Sequence, residues 1–430
     1  MSTPKKRIAF HTMGCKLNFS ETSTLSRDFI RYGFKSVNYK DEADIYVLNS
    51  CSVTNNADKE ARRLIRQAKR KNPLSIIVVT GCYAQLSPKQ IGSIEGVDLV
   101  LGAKEKFDLL KYLDTVDLKS DLRILTSDIN SVKEFVPSYS YGDRTRSFLK
   151  IQDGCNYNCS FCTIPLARGR SRSNSIKKTI TVAKKIQKTG SKEIVLTGVN
   201  IGDFGKGTSE SFIDLLQELE KLDDIERIRI SSIEPNLLTN EIIQFCDSSK
   251  KFMPHFHIPL QSGSDKILRA MRRRYDTKAY KDRIKKINDI NPEVCIGVDV
   301  IVGFPGESHE DFLDTYNFLN EIDITYLHVF NYSERKGTEA VKMSEKVPKD
   351  DRSKRSKMLH ILSEKKKRNF YNKFINTKRP VLFEGIKGGY LIGNTDNYIK
   401  TQVKSRSNYN NQIVEIDLIE NSGSHMVGCI

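Results

Sequence analysis

The sequence lacks any apolar stretch long enough to cross a membrane. Its longest apolar runs, such as residues 75–79, fall far short of the ~20 residues that span a bilayer. The N-terminal segment contains lysines but lacks the apolar region that a secretory signal carries. We therefore expect a protein of the cytoplasm with no membrane partner.

In the absence of an export signal, the nine cysteines do not indicate a disulfide framework. They indicate metal ligands, catalytic thiols or core residues instead. Two groups stand out: the cluster-loop cysteines (Cys155, Cys159, Cys162) and the strand-end cysteines (Cys15, Cys51, Cys82). The others are interpreted as buried apolar residues (Cys246, Cys295) and a spare thiol (Cys429).

Basic residues exceed acidic ones by 70 to 53, which gives a formal net charge of +17. Such an excess attracts polyanions and favours a nucleic-acid partner, although general solubility is the alternative explanation. The excess is concentrated in residues 59–71 and 342–373.

The first 120 residues alternate short apolar runs with helical patterns. Strands are predicted at 7–12, 44–49, 75–80 and 97–101, and helices at 20–32, 57–71 and 107–113. This alternation is typical of a parallel sheet covered on both faces. Residues 121–146 are polar and are interpreted as a linker or strap.

A second alternating series begins near residue 147. Strands are predicted at 148–152, 193–197, 227–231, 256–260, 296–302 and 326–330, with helices between them, for example at 176–189, 212–222 and 310–322. A full eightfold barrel needs about 250 residues. The shorter span favours a partial, open barrel of six strand–helix units.

The hydrophobic pattern changes in the C-terminal part, after a charged helix predicted at 349–374. Five short alternating segments separated by Gly and Asn follow. They predict a small antiparallel barrel of the OB type, which often binds oligonucleotides. A structural cap on the preceding domain is the alternative.

The segment DGCNYNCSFCTIP holds the cluster-loop cysteines as C-x3-C-x2-C, directly after the first predicted barrel strand. Three thiolates can hold three irons of a four-iron cubane, which leaves one iron open to a small substrate. A zinc site would need a fourth ligand, and no His or further Cys lies within a turn of this loop. A chance grouping of structural cysteines is the remaining alternative.

The strand-end cysteines lie in TMGCKLN, LNSCSVTN and VTGCYAQ. Each follows an apolar strand and precedes a helix, and the carboxyl ends of parallel strands meet at one edge of a sheet. We therefore expect a second three-thiolate cluster site, with chance as the alternative. The flanking residues expected to support the loops are Asn18, Ser52, Thr54 and Tyr83.

A C-x3-C-x2-C loop after the first strand of a six-unit partial barrel resembles the radical S-adenosylmethionine (SAM) superfamily. The resemblance implies that the open iron binds the amino and carboxylate groups of SAM, whose reductive cleavage yields a 5′-deoxyadenosyl radical. It places Phe161 near the adenine. Further SAM contacts are implied at strand ends, where structural caps or turns are the alternative: Gly198, Asn200, Ser231, Ser232, Glu234, Gln261, Ser262 and Gly303.

The two cysteine groups, the two α/β segments and the barrel tail together resemble the methylthiotransferases. The resemblance implies an N-terminal domain at 5–120, a radical SAM core at 141–371 and a TRAM domain at 374–430. It also implies two [4Fe–4S] clusters, the second carrying the sulfur, and two uses of SAM, as methyl donor and as radical source. An electron donor and a sulfur donor are needed, and the sequence identifies neither.

Several segments resemble one branch of that family: TMGCKLN, SSIEP, MRRRY and HVFNYSERKGTEA. That branch converts N6-L-threonylcarbamoyladenosine, next to the tRNA anticodon at position 37, to its 2-methylthio derivative. The alternatives are isopentenyladenosine in tRNA, an aspartate of a ribosomal protein, or a non-catalytic tRNA-binding protein with structural metal.

Basic and aromatic residues are expected to contact the substrate RNA. A solvated loop is the alternative for the three arginines after the cluster loop, and barrel core is the alternative for the two tyrosines. The candidates are Arg168, Arg170, Arg172, Lys365, Lys366, Lys367, Arg368, Lys387, Lys400, Lys404 and Arg406, with Tyr390 and Tyr398 as stacking residues.

Overall fold

Two groups of alternating strands and helices divide the chain into two units. The computed structural model describes residues 5–52, 55–113, 122–142 and 145–430. The first unit contains the residues up to Ser140 with Phe148–Tyr157 and Cys162–Asn174, and the second contains Tyr141–Ser147, Asn158–Phe161 and Ser175–Ile430.

A six-stranded parallel sheet forms the centre of the first unit, in the order β2-β1-β3-β4-β5-β6. Val47 and Val78 pack on one face, and Leu48 and Val79 pack on the other. Both faces are covered, which explains why these strands are apolar at successive positions. The strands are β1 (Arg7–Thr12), β2 (Lys35–Val37), β3 (Ile45–Ser50), β4 (Ile76–Gly81), β5 (Leu99–Leu101) and β6 (Arg123–Leu125).

The helices of this sheet follow its strands along the chain. They are α1 (Lys16–Arg31), α2 (Asn55–Lys71), α3 (Cys82–Leu86), α4 (Pro88–Gly92) and α5 (Leu109–Leu113). The strand β7 (Arg146–Lys150) then runs from the second unit into the first. The first unit ends with β8 (Gln152–Asp153), α6 (Ile164–Arg168) and β9 (Arg172–Ser173), and β8 pairs with β9 in antiparallel fashion.

Parallel strands separated by helices form the larger part of the second unit. The strands are β10 (Glu193–Thr197), β11 (Arg227–Ile230), β12 (His255–His257), β13 (Cys295–Val302) and β14 (Tyr326–Asn331). A parallel bridge between Ser232 and His257 links the β11 segment to β12. The helices are α7 (Ile176–Gln187), α8 (Phe212–Glu220), α9 (Asn240–Ser248), α10 (Asp265–Ala270), α11 (Thr277–Ile290) and α12 (His309–Glu321).

The chain ends in a long helix and a closed five-stranded barrel. The barrel has the order β15-β16-β17-β19-β18, and only the β17–β19 pairing is parallel. The predicted small barrel is therefore confirmed, with one parallel pair. The elements are α13 (Lys349–Asn372), β15 (Thr377–Lys387), β16 (Tyr390–Thr395), β17 (Lys400–Lys404), β18 (Ile413–Asn421) and β19 (Met426–Cys429).

The loop between β16 and β17 packs on the parallel strands of the same unit. Arg229 donates from Nη1 to the carbonyl oxygen of Asp396 (2.7 Å) and from Nη2 to that of Thr395 (2.8 Å). The ring of Tyr398 stacks on His255 at a centroid separation of 4.2 Å. These contacts hold the small barrel against β11 and β12.

The interpretation of residues 121–146 as a linker or strap was wrong in part, because β6 lies within them. The three-residue strands β2 and β6 escaped prediction because neither forms a distinct apolar run. Thr54, residues 114–120 of the predicted first domain, and residues 121, 143 and 144 of the strap lie outside the described residues. No helix in the described ranges is long and apolar enough to span a bilayer.

Candidate active site

The strand-end cysteines lie on loops that leave three neighbouring strands, β1, β3 and β4. Those strands end side by side, since Ser50 pairs with Gly81 at the carboxyl end of β3 and β4. A Cβ atom on Gly14 would lie 2.7 Å from Sγ of Cys51, and a Cβ on Gly81 would collide with the carbonyl oxygen of Ser50. Both glycines also have positive φ, so other residues would be strained there. The geometry thus packs the Cys15 and Cys82 loops against the Cys51 loop, as the sequence predicted.

Asn18 holds two of these loops together. It is 1% exposed, and its Nδ2 donates to the carbonyl oxygens of Met13 (2.9 Å) and Ser50 (3.2 Å). Cys15 is the N-cap of α1, where the helix dipole favours negative charge. None of these three cysteines forms a disulfide bond within the described residues. A set of three soft thiolates at a positive helix end fits an anionic iron–sulfur cluster.

The cluster-loop cysteines are half-buried, and each sulfur accepts a hydrogen bond. The backbone N–H of Tyr157 donates to Sγ of Cys155 (3.3 Å), and that of Ile164 donates to Sγ of Cys162 (3.4 Å). Hydrogen bonds to cysteine sulfur help to set the reduction potential of iron–sulfur clusters. The donor set and its hydrogen bonds therefore fit a bound cluster.

The third sulfur is bonded by an arginine that the sequence did not single out. Nη1 of Arg273 donates to Sγ of Cys159 (3.2 Å), while its Nη2 forms an ion pair with Glu234. Burial alone would lower the pKa of Arg273, but the neighbouring Tyr275, Glu234 and Cys159 raise it well above its usual value. Arg273 therefore stays cationic beside Cys159. Its signal in the sequence is its place in the MRRRY segment.

The residues predicted to contact SAM all lie in the second unit. Those other than Phe161 follow the carboxyl ends of β10, β11, β12 and β13, where barrel active sites form. The ring of Phe161 packs edge-on against Phe304 (6.5 Å). Glu234 already pairs with Arg273, and the SAM contacts themselves stay predictions. Ser262 is a correction: its side chain is fully buried and hydrogen-bonded to Thr315, so it faces α12 instead of a ligand.

Arg168 is a second correction, because it is buried in an ionic network of the first unit. Its guanidinium is 3% exposed and bonds Glu21 (3.1 Å), Asp153 (2.9 Å) and the side chain of Asn18. Burial would lower the pKa of Arg168, yet the two carboxylates raise it well above its usual value. It is not available to a phosphate.

Two lysines complete this network around Glu21. Lys150 donates to Glu21 (2.9 Å) and to Asp153 (2.8 Å), and Lys106 also pairs with Glu21. Arg172 bonds Asp153 and three backbone carbonyls, which occupies its donors, whereas Arg170 is exposed. Of the three arginines after the cluster loop, Arg170 alone keeps the character expected of an RNA contact.

An exposed basic and aromatic row crosses the small barrel. Lys387 on β15 pairs with Tyr390 on β16, which pairs with Lys404 on β17. Directly paired residues point to the same side of a sheet, so the three side chains share one surface. Tyr390 is 41% exposed. Lys400 and Arg406 are also exposed.

Two further RNA candidates have other partners. Tyr398 packs on His255 instead of facing solvent, so it is not a stacking platform for a base. Nζ of Lys366 donates to the carbonyl oxygens of Asn320 (3.2 Å) and Ile322 (2.7 Å) at the end of α12, and burial lowers its pKa to about 8. Lys367 pairs with Glu364 (2.7 Å), and Lys365 and Arg368 are exposed.

Three polar side chains that the sequence did not reveal meet on β12, β13 and β14. Oδ1 of Asp299 accepts hydrogen bonds from Nε2 of His257 (2.8 Å) and Nδ1 of His328 (3.1 Å). Burial would raise the pKa of Asp299, but these two hydrogen bonds lower it below its usual value. The available signal was weak: Asp299 interrupts an apolar strand, whereas the strand of His257 (HFH) holds a second histidine.

Two family models match the chain. The model of Uncharacterized protein family UPF0004 matches residues 7–102, and that of the Radical SAM superfamily matches residues 149–319. The structure is similar to that of the radical SAM methyltransferase TsrM from Kitasatospora setae, with a TM-score of 0.57 and 12% identity over 79% of this chain and 77% of that one. This similarity supports the fold.

Curated relatives match nearly the whole length. The chain is 39% identical to the threonylcarbamoyladenosine tRNA methylthiotransferase MtaB of Bacillus subtilis, over 96% of this chain and 94% of the relative. It is 41% identical to the MtaB of Aquifex aeolicus, over 91% and 95%. Identity to the tRNA-2-methylthio-N(6)-dimethylallyladenosine synthase of Endomicrobium trichonymphae is 32%, over 97% and 98%.

Proposed function

The chain belongs to the threonylcarbamoyladenosine tRNA methylthiotransferase family, and we propose that it converts N6-L-threonylcarbamoyladenosine at tRNA position 37 to its 2-methylthio derivative. The observation that carries the proposal is the 39% identity to the Bacillus subtilis enzyme over 96% of the chain. Identity to a dimethylallyladenosine synthase is lower, at 32%. A non-catalytic binding protein is not favoured, since the relatives are named as transferases or synthases.

The chemistry explains why such a chain carries two cysteine groups. The C–H bond at carbon 2 of adenine is not acidic, so a general base cannot activate it. Held by the cluster-loop and strand-end cysteines, two [4Fe–4S] clusters would supply the electron that cleaves SAM and the sulfur that replaces hydrogen, with a second SAM as methyl donor. Arg273 and the backbone donors of the loop orient the sulfurs, and Asn18 holds the strand-end loops.

The small barrel would bind the substrate tRNA. The row of Lys387, Tyr390 and Lys404 offers two cations around an aromatic ring, which suits phosphates flanking an unpaired base. Lys365, Arg368, Lys400 and Arg406 are exposed cations of the same unit that would extend this contact, and Arg170 is an exposed candidate RNA contact in the first unit. The reaction also needs an external reductant and a sulfur source, and we place it in the cytoplasm with its tRNA.

Nucleoside mass spectrometry tests this proposal. tRNA from cells that lack the protein should contain N6-L-threonylcarbamoyladenosine without its 2-methylthio derivative, and expression of the chain should restore the derivative. Expression of the strand-end triple Cys→Ala variant serves as the matched control and should not restore it. Restoration of the methylthio group on dimethylallyladenosine instead would assign the chain to another branch, and restoration of neither would refute the proposal.

A further inference from the structure

The hydrogen-bonded set of His257, Asp299 and His328, here called the imidazole triad, lies on one face of the parallel strands. Residues two apart on a strand share a face, so Asp299 lies between Gly297 and Ile301 on β13. On β14, His328 is the direct partner of Asp299. The three side chains are 17%, 19% and 51% exposed in the order His257, Asp299, His328. The triad is thus accessible from solvent.

The neighbours of the triad on the same face show where it lies along the strands. Towards the amino ends of the strands, Gly297 is covered by the ring of Tyr326, which stacks with His255. Towards the carboxyl ends, Ile301 packs into the same apolar cluster as Phe161, the residue before the last cluster-loop cysteine. At about 3.3 Å per residue, Asp299 lies about 7 Å along the strand from Ile301. The triad therefore lies about 7 Å along β13 from the residue that packs on this cluster.

Other charged groups near this face already have partners. Arg229 bonds Glu193 and the tail, and Arg273 bonds Glu234 and Cys159. The triad differs from these groups because one nitrogen of each imidazole has no partner. Each ring donates a hydrogen bond to Asp299 from one nitrogen, whereas within the described part of the chain Nδ1 of His257 and Nε2 of His328 meet no hydrogen-bond partner. Two ring nitrogens on rings 5.1 Å apart are left for a ligand.

We propose that the imidazole triad binds the carboxylate-bearing amino-acyl group on N6 of the substrate adenosine. This inference rests on the proposed function. Asp299 takes up one nitrogen of each ring, and a ring that is protonated then has its second N–H to donate to a ligand carboxylate. An apolar isopentenyl group would instead bury these polar nitrogens without partners, at a cost in affinity. The triad therefore selects for a polar, anionic substituent.

A divalent cation is the other ligand that two histidines and an aspartate could take. The geometry favours it less, for two reasons. The nitrogens nearest Asp299 point N–H groups at the carboxylate oxygen and are used in that contact. Histidines that bind metals also usually donate their outer nitrogen to a second carboxylate or carbonyl, and the described residues offer neither ring such a partner.

Binding of anticodon stem-loops to the reconstituted full-length enzyme tests the proposal. The RNAs carry N6-L-threonylcarbamoyladenosine, its methyl ester, or unmodified adenosine at the same position. The wild type should bind the free acid more tightly than the ester. His328→Ala and Asp299→Asn should weaken binding of the acid about 10- to 100-fold, the range expected for hydrogen bonds to a charged group, and should change binding of the ester much less. His309→Ala, which removes an exposed histidine from α12, is the matched control and should behave as wild type.

The outcomes separate this proposal from the proposed function. If the wild type prefers the acid and the variants keep the full preference, the triad is not the binding site, although the enzyme still acts on this nucleoside. If the wild type prefers neither the acid nor the ester over unmodified adenosine, the proposed substrate itself is wrong. Metal analysis of the same preparations tests the alternative of a divalent-cation site. A metal ion beyond the cluster irons that is lost in His328→Ala would overturn the proposal in favour of a metal site.

Discussion

Replacing Glu21 by glutamine should destabilise the first unit strongly, because one buried carboxylate there faces three buried cations. Its oxygens accept from Lys150 at 2.9 Å, from Arg168 at 3.1 Å and from Lys106, and all four side chains are at most 3% exposed. In the variant, the carboxylate of Asp153 remains to compensate the charge of the three cations. Breaking a buried ion pair typically costs about 3–5 kcal/mol. At about 2–4 °C per kcal/mol for a unit of this size, the midpoint of thermal unfolding should fall by about 6–20 °C.

Circular dichroism or calorimetry as a function of pH checks both the size and the cause. Burial would raise the pKa of Glu21, but Arg168, Lys106 and Lys150 lower it well below its usual value. A carboxylate with a lowered pKa stabilises the fold fully above its unfolded pKa of about 4.3 and loses that effect as the pH falls further. The difference between wild type and Glu21→Gln should therefore be constant near neutral pH and shrink below about pH 4.

A matched control in the same unit separates burial from charge. Glu60 pairs with Arg63 at 2.6 Å, but both side chains are largely exposed. Solvent screens such a pair, so Glu60→Gln should shift the midpoint by no more than about 2 °C. A similarly small shift for Glu21→Gln, or a shift that persists at low pH, would refute the argument that this network stabilises the unit through charge.

Three further predictions concern the clusters and the RNA surface. The triple Cys→Ala variant of the cluster loop should produce no 5′-deoxyadenosine from SAM under dithionite, and undiminished production would contradict the assignment. The triple variant of the strand-end cysteines should lose about half of the bound iron and transfer no methylthio group while still cleaving SAM, and thiomethylated RNA from it would show that these cysteines are structural. Lys387→Ala with Lys404→Ala should lower the salt dependence of tRNA affinity by about 0.9 per phosphate contact on duplex regions, and Tyr390→Ala should cost about 1–3 kcal/mol if the ring stacks on a base. An unchanged slope would exclude this row as the RNA surface.

The main elements could be predicted because each left a local pattern. Parallel strands buried on both faces appear as continuous apolar runs, as in β4, and the strand-end cysteines follow three such runs. Since neighbouring parallel strands end together, three cysteines far apart in the chain were expected to share an edge. The short strands β2 and β6 gave no such pattern, because an edge strand of three residues does not need an apolar run.

The errors concern partners distant in the chain. In ARGRSRS the three arginines look equivalent, but Arg168 faces Glu21, which lies 147 residues earlier on α1. Neither spacing nor composition encodes that contact. The imidazole triad was missed for the same reason: His257, Asp299 and His328 lie on three different strands, and only the register of β12, β13 and β14 brings them together.

The packing of the β16–β17 loop on the parallel strands has a consequence for folding during synthesis. Arg229 and His255 lie well before the residues that bond and stack with them, Asp396 and Tyr398. During synthesis the guanidinium of Arg229 and the imidazole of His255 therefore leave the ribosome before their final neighbours. The second unit can complete this packing only after the β16–β17 loop has been made. A chain that terminates early would expose these groups, and we expect chaperones and proteases to distinguish it from the finished protein.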